Sequence, residues 1–294
     1  MVSRQRIIQI LGYILFGLAV CLVVVYLTFP YDQLQRRLAS QFLPAEYRIT
    51  VDRSGPAFPP GVVLHGLRLF AEDQRLQVPL VQAETLRVQP TLLSLLLGTV
   101  KTQLNGNLYN GKLQGQVLSP AANDDTHWQI QGKFADLQLE QYPLLRHEKG
   151  AFVRGQLAGD LNFTLDAAGN LAQGDLDLQL QSVVLVAGQH PALPLQRDIS
   201  CATLQSQFKM TATQTQITSL TCKGDDLLIQ ARGAVNWRKP IQNSNLNLHV
   251  QIRSETAYQQ ELALIAALVG RRLDRRGTLS FRIRGMIRQP QFGA

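Results

Sequence analysis

From about residue 45 onward the chain is written in period two. Leu161, Phe163 and Leu165 alternate with polar neighbours. So do Leu176, Leu178 and Leu180, then Leu246, Leu248, Val250 and Ile252, and finally Leu279, Phe281 and Ile283. Such alternation gives a strand one apolar and one wet face, as in antiparallel sheets. Val62, Leu64, Leu67 and Leu69 keep the pattern with a slip at Gly66. Turn signals at Asn105-Gly106, Asn110-Gly111, Gly169-Asn170 and Gly224-Asp225 fall between the runs. The pattern predicts roughly a dozen or more strands at the spacing of all-β folds, undivided by any long linker. Three helical interruptions are expected: a turn or helix at 91–97 after Pro90, a segment at 139–146 that Pro143 breaks, and 256–273. The last has Leu262, Ile265, Ala266 and Val269 at helical spacing.

The N-terminal part has a different pattern. Residues 7–29 read IIQILGYILFGLAVCLVVVYLTF, without a charge. About 20 helical residues cross a hydrocarbon core of roughly 30 Å, so the segment is long enough to span. Each Leu, Ile, Val or Phe favours insertion by about 0.3 to 0.6 kcal/mol. A cleaved signal peptide and a lipoprotein signal at Cys21 are the rival readings. Against the first, Leu27, Thr28, Phe29, Pro30 and Tyr31 put bulky groups where a cleavage site needs small ones. Against the second, Cys21 lies inside the apolar run with Val20 before it. Arg4 and Arg6 precede the segment, while Asp32, Arg36 and Arg37 follow it, so the expected orientation keeps residues 1–6 inside and exports the remainder. Residues 30–44 carry Leu34, Leu38 and Phe42 on one helical face. A helix on the membrane surface and an ordinary packed helix fit that spacing equally well.

Composition sharpens this picture. Hydrophobic residues are 45% and charged residues only 17%, with Gln, Asn, Ser and Thr supplying the polar positions. Such a surface suits strands better than helices. The formal charge of +8 and a pI near 9.7, with few aromatics and no nucleic-acid motif, point to anionic lipid or an acidic partner and away from nucleic acid.

Candidate chemistry is sparse. Gly106-x-x-x-x-Gly111-Lys112 imitates a phosphate loop, but Leu113 stands where Ser or Thr would hold magnesium, and a strand follows where a helix is needed. His65, His127, His147, His190 and His249 are scattered singly, without metal-ligand spacing. Asp124-Asp125 and Asp225-Asp226 sit beside turn residues, and no G-x-S-x-G occurs. No catalytic, cofactor or metal residue is assigned, and a non-enzymatic role is expected. Cys201 and Cys222 flank two strands, 199–210 and 216–223, joined by a turn near Thr211–Thr213. That hairpin would bring the cysteines almost opposite each other, within disulfide range in an oxidising compartment; two buried thiols are the other reading. Arg271, Arg272, Arg275, Arg276, Arg282, Arg284 and Arg288 stand against the single acid Asp274. They form either a basic face for lipid headgroups or an acidic partner, or a solvated helix end and strand face.

The order of these parts is recognisable. The span runs into Phe29-Pro30-Tyr31-Asp32, then Pro60-Gly61-Val62-Val63-Leu64, Leu86-Arg87-Val88-Gln89-Pro90 and Leu92-Leu93-Ser94-Leu95-Leu96-Leu97-Gly98. Leu108-Tyr109-Asn110-Gly111-Lys112-Leu113-Gln114-Gly115 follows, and the chain closes on Leu279 to Pro290. This resembles the AsmA-like envelope proteins, and within them the type II secretion system protein N family. The resemblance implies a bacterial inner-membrane protein with a single-pass anchor, a cytoplasmic N-terminus and a periplasmic domain over 45–294. That domain would be a curled, largely antiparallel β-sheet forming a groove, with a few short helices. It also implies an accessory role in type II protein secretion, among other envelope proteins of that machine. The alternative is an AsmA-like protein that binds or shields phospholipid during outer-membrane lipid transport or assembly.

Overall fold

The computed structural model describes residues 47–293 apart from 59–60, 72–77, 92–93, 95–98, 100, 120–126, 148–149, 152, 167–168, 187–197, 239–242, 255–257 and 275–276. The expected span at 7–29, the helix within 30–44 and most of the expected turn at 91–97 lie outside the described residues. Among the described residues no helix is long and apolar enough to cross a membrane.

The described chain is nearly all strand. β1 (Tyr47–Thr50) and β2 (Arg53–Ala57) precede β3 (Gly61–Ala71), β4 (Val81–Pro90), β5 (Lys101–Leu108), β6 (Gly111–Leu118) and β7 (Trp128–Gln138). A small excursion holds β8 (Arg146–His147) and β9 (Gly150–Ala151). The meander resumes with β10 (Val153–Leu165), β11 (Leu171–Leu185), β12 (Ile199–Met210), β13 (Gln214–Lys223), β14 (Leu227–Asn236) and β15 (Asn245–Ser254). After helix α1 (Gln259–Leu268) come β16 (Thr278–Met286) and β17 (Gln289–Gly293).

Fifteen of these strands form one antiparallel sheet in which each strand from β3 onward pairs with its neighbour in the chain, stepping from β7 to β10 over the excursion. β1 and β2 lie end to end along the outer edge of β3, and β17 forms the other edge. The edges do not meet, so the sheet is open. The all-β, antiparallel expectation is met in this form.

Register explains how alternation survives such long strands. At several points two apolar residues three apart both reach the same face, which strict alternation forbids. Phe134 pairs with Gly159 and Leu137 with Leu157, leaving two β7 residues opposite one. Ile217 and Leu220 do the same on β13. The slip at Gly66 is real: its φ is +62°, and Asp136 (φ +59°) and Ser182 (φ +52°) occupy the same left-handed region at the slips of β7 and β11. Each bulge re-phases its strand, so apolar side chains return to the same face.

Three local expectations are corrected. Asn105-Gly106 is not a turn but lies inside β5, paired with Gln114 and Leu113. The turn of that hairpin is Tyr109-Asn110, both at positive φ as a type I′ turn requires, and Gly111 already starts β6. Residues 139–146 hold two 3-10 turns, Leu139–Gln141 and Pro143–Leu145, because Pro143 can supply no donor to a continuous helix. The expected helix at 256–273 is shorter. Gly270 (φ +66°) ends it, and Arg271 N–H donates to Ala266 O at 2.7 Å in the manner of a glycine C-cap.

Helix α1 lies on one face of β15–β16. Leu262, Ala266 and Val269 pack with Leu279 and Phe281, flanked by Val250, Ile252 and Ile283. Complete burial of a leucine stabilises by about 1.5–3 kcal/mol, and Leu262 and Leu279 are both fully buried. The polar groups enclosed nearby are bonded: Ser254 Oγ donates to Asp226 Oδ2 and accepts from Tyr258 N–H, at 3.1 and 3.2 Å. A second cluster joins Val183, Cys201 and Cys222 with Leu180, Leu204 and Ile229.

Candidate functional site

The register places one apolar row after another across the sheet. Beginning under α1, Phe281 pairs with Val250, Val250 with Ala231, and Ala231 with Leu220. The row continues through Ser206, Leu178, Gly159, Phe134, Leu113, Gly106 and Leu86 to Leu64. The next row runs from Ile283 through Leu248, Phe208, Leu176, Leu161, Leu104 and Val88 to Val62, with glycines between. Directly opposed residues share a face, so these rows describe one apolar surface across the whole sheet.

Glycines thin this surface at regular intervals, and large neighbours lie over them. A Cβ on Gly159 would stand 2.7 Å from Phe134 Cζ, and one on Gly132 3.1 Å from Leu161 Cγ. Gly174 is covered in the same way by Phe163. An aromatic ring over a glycine restores lost packing while the missing side chain lets strands bend toward that face.

At one end of the strands the surface opens into a cavity of about 970 Å³. Its walls are Leu171, Leu176, Leu178, Phe208 and Met210, and its rim is the tight turns 166–170 and 211–213 with Trp237. Trp237 Nε1–H donates to Thr215 Oγ1 at 2.8 Å, which fixes the indole, and the residue is 39% exposed. An amphipathic ring therefore stands at the border of an apolar floor and water.

The opposite face is polar: Gln103, Gln116, Gln131 and Asn162 continue across to Asp175 and Lys209. Lys133 Nζ meets Asp160 Oδ1 at 2.9 Å. At the opposite strand end Tyr109 OH accepts from Gln82 N–H at 2.9 Å, and its ring meets Tyr142 edge-on at 5.5 Å. Burial raises the Tyr109 pKa above 10.0, partly offset by the Gln82 hydrogen bond and assisted by Tyr142; burial also raises that of Tyr142.

The residues singled out from sequence are distributed as follows. Cys201 and Cys222 form a disulfide with Cα atoms 5.8 Å apart, but they are not directly opposed. Cys222 pairs with Leu204 and Cys201 with Val183. Both cysteines are buried in the cluster with Val183, Leu180 and Leu204. The arginine cluster is divided by the sheet. Arg282 and Arg284 alternate with Leu279, Phe281 and Ile283, so they lie on the face opposite α1. Arg271 and Arg272 follow α1 on its own side, Arg288 lies in the β16–β17 turn, and Arg275 and Arg276 fall outside the described residues. The Gly106 to Lys112 stretch is a hairpin, without the helix a phosphate loop needs. Among the described residues no His, Cys, Asp and Glu group has the arrangement of a metal site.

What sequence reading missed is the cavity rim. Trp237 stands outside any alternating run, and its neighbours Leu171, Phe208 and Met210 belong to two other strands, β11 and β12. In comparisons with protein-family models, curated proteins and solved structures, nothing matches this chain.

Proposed function

We propose that the chain is a membrane-anchored envelope protein whose open sheet shelters the acyl chains of lipids along its apolar face, with no enzymatic step. The observation that carries this reading is the continuity of the apolar rows over strands that α1 does not cover. Contiguous exposed apolar surface beyond a few hundred Å² is rare in a monomer that stays in water, and marks a binding surface. A membrane span at 7–29 would anchor it, and the bridged cysteines suit an oxidising compartment such as the periplasm. The chain joins the sheet at Tyr47, opposite Ala71, at the strand end that carries the longer connections. The cavity under Trp237 opens at the other end. Fourteen ladder positions at about 4.8 Å give a sheet roughly 60 Å across, suited to shielding lipid locally.

A second reading, an accessory of the type II secretion machine, is favoured by the open edges. β1/β2 and β17 leave ladder positions that a partner's strand can fill.

The test is photo-cross-linking in the full chain within native membranes, with a benzophenone amino acid at Leu161 or Leu178 on the apolar face and at Asn162 or Gln179 on the polar face. Phospholipid adducts confined to the first pair are expected. Adducts on neither face, or equally on both, would remove the lipid reading and leave the edge-strand reading to be probed by cross-links from β17.

A further inference from the structure

We propose that the polar face of β13–β16 carries a binding site for a phosphate-class oxyanion, centred on Arg232 and His249, with Arg282 on the next strand beside them. The site is separate from the apolar surface, since these residues stand on the other side of the sheet.

The cross-strand register creates the cluster. Arg232 on β14 is directly opposed by His249 on β15, which is directly opposed by Arg282 on β16. Arg284, two residues along the same strand, adds a third guanidinium beside Asn247. Two guanidinium groups therefore flank one imidazole across three neighbouring strands. Among the described residues no ion pair to Arg232, Arg282 or Arg284 is formed. The ion pairs Arg68–Asp52 and Lys133–Asp160 lie on other strands. On β11, Asp175 faces Lys209 across the ladder, so its charge is met locally.

Three further observations converge on the same place. Beside Arg232 the ladder is broken: Ile217 pairs with Gly233 and Leu220 with Ala231, so Thr218 and Ser219 together oppose Arg232. Bulges of this kind re-aim side chains and concentrate at sites of function. The bulge helps form a concavity of about 270 Å³ lined by Thr218, Ser219, Gln230, Arg232, His249 and Gln251. Finally, His249 Nδ1 is enclosed without a hydrogen-bond partner, while Nε2 lies 3.2 Å from Gln251 Nε2. The Gln251 contact holds the imidazole beside the concavity that both side chains line.

The chemistry selects the ligand class. Guanidinium forks match the paired oxygens of a phosphate, and the hydroxyls and amides around them donate to the remaining oxygens. A diester in a lipid headgroup and free inorganic phosphate share that chemistry. An acidic polypeptide is less well matched, because the concavity admits one small anion and not a row of carboxylates.

The test is calorimetry on the full chain in a neutral detergent, with inorganic phosphate in one arm and dioctanoyl phosphatidylglycerol in the other. Dioctanoylglycerol serves as the headless control for binding to the apolar face. Arg232→Gln, Arg282→Gln and His249→Gln are each expected to weaken binding at least tenfold, while Arg271→Gln, across the sheet, leaves it unchanged. Arg282→Lys, which keeps the charge and loses the fork, is expected between the two. Variant-sensitive binding of both probes identifies a general phosphate site; of the lipid alone, a headgroup site; of phosphate alone, a site for the free anion. Each of these supports the proposal. It is overturned if neither probe binds beyond the headless control, if the three variants with native far-ultraviolet dichroism bind as the parent does, or if only a polyglutamate peptide binds.

Discussion

On β15 and β16 the apolar face lies under α1, and Leu279 and Phe281 are 0% and 7% exposed. Farther along the same rows, Leu178, Leu161, Leu104 and Leu86 have the same chemistry and remain half-buried. Among the described residues α1 is the one helix longer than a turn, and it reaches only the C-terminal end of the sheet. The two regions therefore differ in what covers them and not in what they are made of. The covered region behaves as a core. The uncovered one has core composition without a core's enclosure.

The largest effect expected from this contrast is on stability. Leu279→Ala should cost about 2–5 kcal/mol, because it empties an enclosed site. Leu178→Ala should cost much less, since part of its side chain already meets water. Urea denaturation of both variants decides this, and equal losses would erase the distinction between core and open surface. Next, removing the disulfide with the double change Cys201→Ser and Cys222→Ser should lower stability by about 2–4 kcal/mol. The same denaturation series shows it as a lower midpoint, and lipid cross-linking at Leu178 should persist in the refolded protein.

A smaller effect sharpens the boundary of the covered region. Leu264 lies on the outer side of α1 and is 47% exposed, so Leu264→Gln should change stability by no more than about 0.5 kcal/mol. A loss like that of Leu279→Ala would mean that something else packs over α1. The smallest effect concerns pH. Tyr109 has its folded-state pKa raised by burial, so its contribution is fully present below the ordinary tyrosine value of 10.0. That contribution is lost as pH rises through the folded value, because the unfolded chain gives up the proton first. Thermal melts should therefore fall more steeply above pH 10 in the parent than in Tyr109→Phe, and parallel slopes would show that the Tyr109–Tyr142 contact carries no such linkage.

Much of the sheet was legible in the alternation. The runs at Leu161–Leu165, Leu176–Leu180, Leu246–Ile252 and Leu279–Ile283 are strands with their apolar sides on one face, and 199–210 matches β12 to the residue. The slip at Gly66 was visible because a glycine marked it. The equivalent slips at Phe134–Leu137, Leu180–Val183 and Ile217–Leu220 were equally present as apolar pairs three apart, and that spacing is the signal that would have found them. Asn105-Gly106 misled because the dipeptide suits a hairpin turn in isolation. Its glycine is needed instead for space, since a Cβ there would meet Thr85 O at 2.7 Å. The candidate site was less legible. The apolar face follows from alternation, but the cavity under Trp237 gathers residues from separate hairpins, and no local pattern records that.

The sequence by itself determined the two-faced sheet, the bonded cysteines' proximity and the place of the helix, because each depends on neighbours in the chain: alternation, hairpin register and a glycine stop. Tertiary structure alone decided that the sheet stays open, that α1 covers one end and leaves the rest bare, and that the arginines of the C-terminal cluster fall on opposite sides. It also set Arg232, His249 and Arg282 in one row. These depend on pairings between strands and on the phase each bulge imposes, so a single shifted residue would change the face that every later side chain occupies.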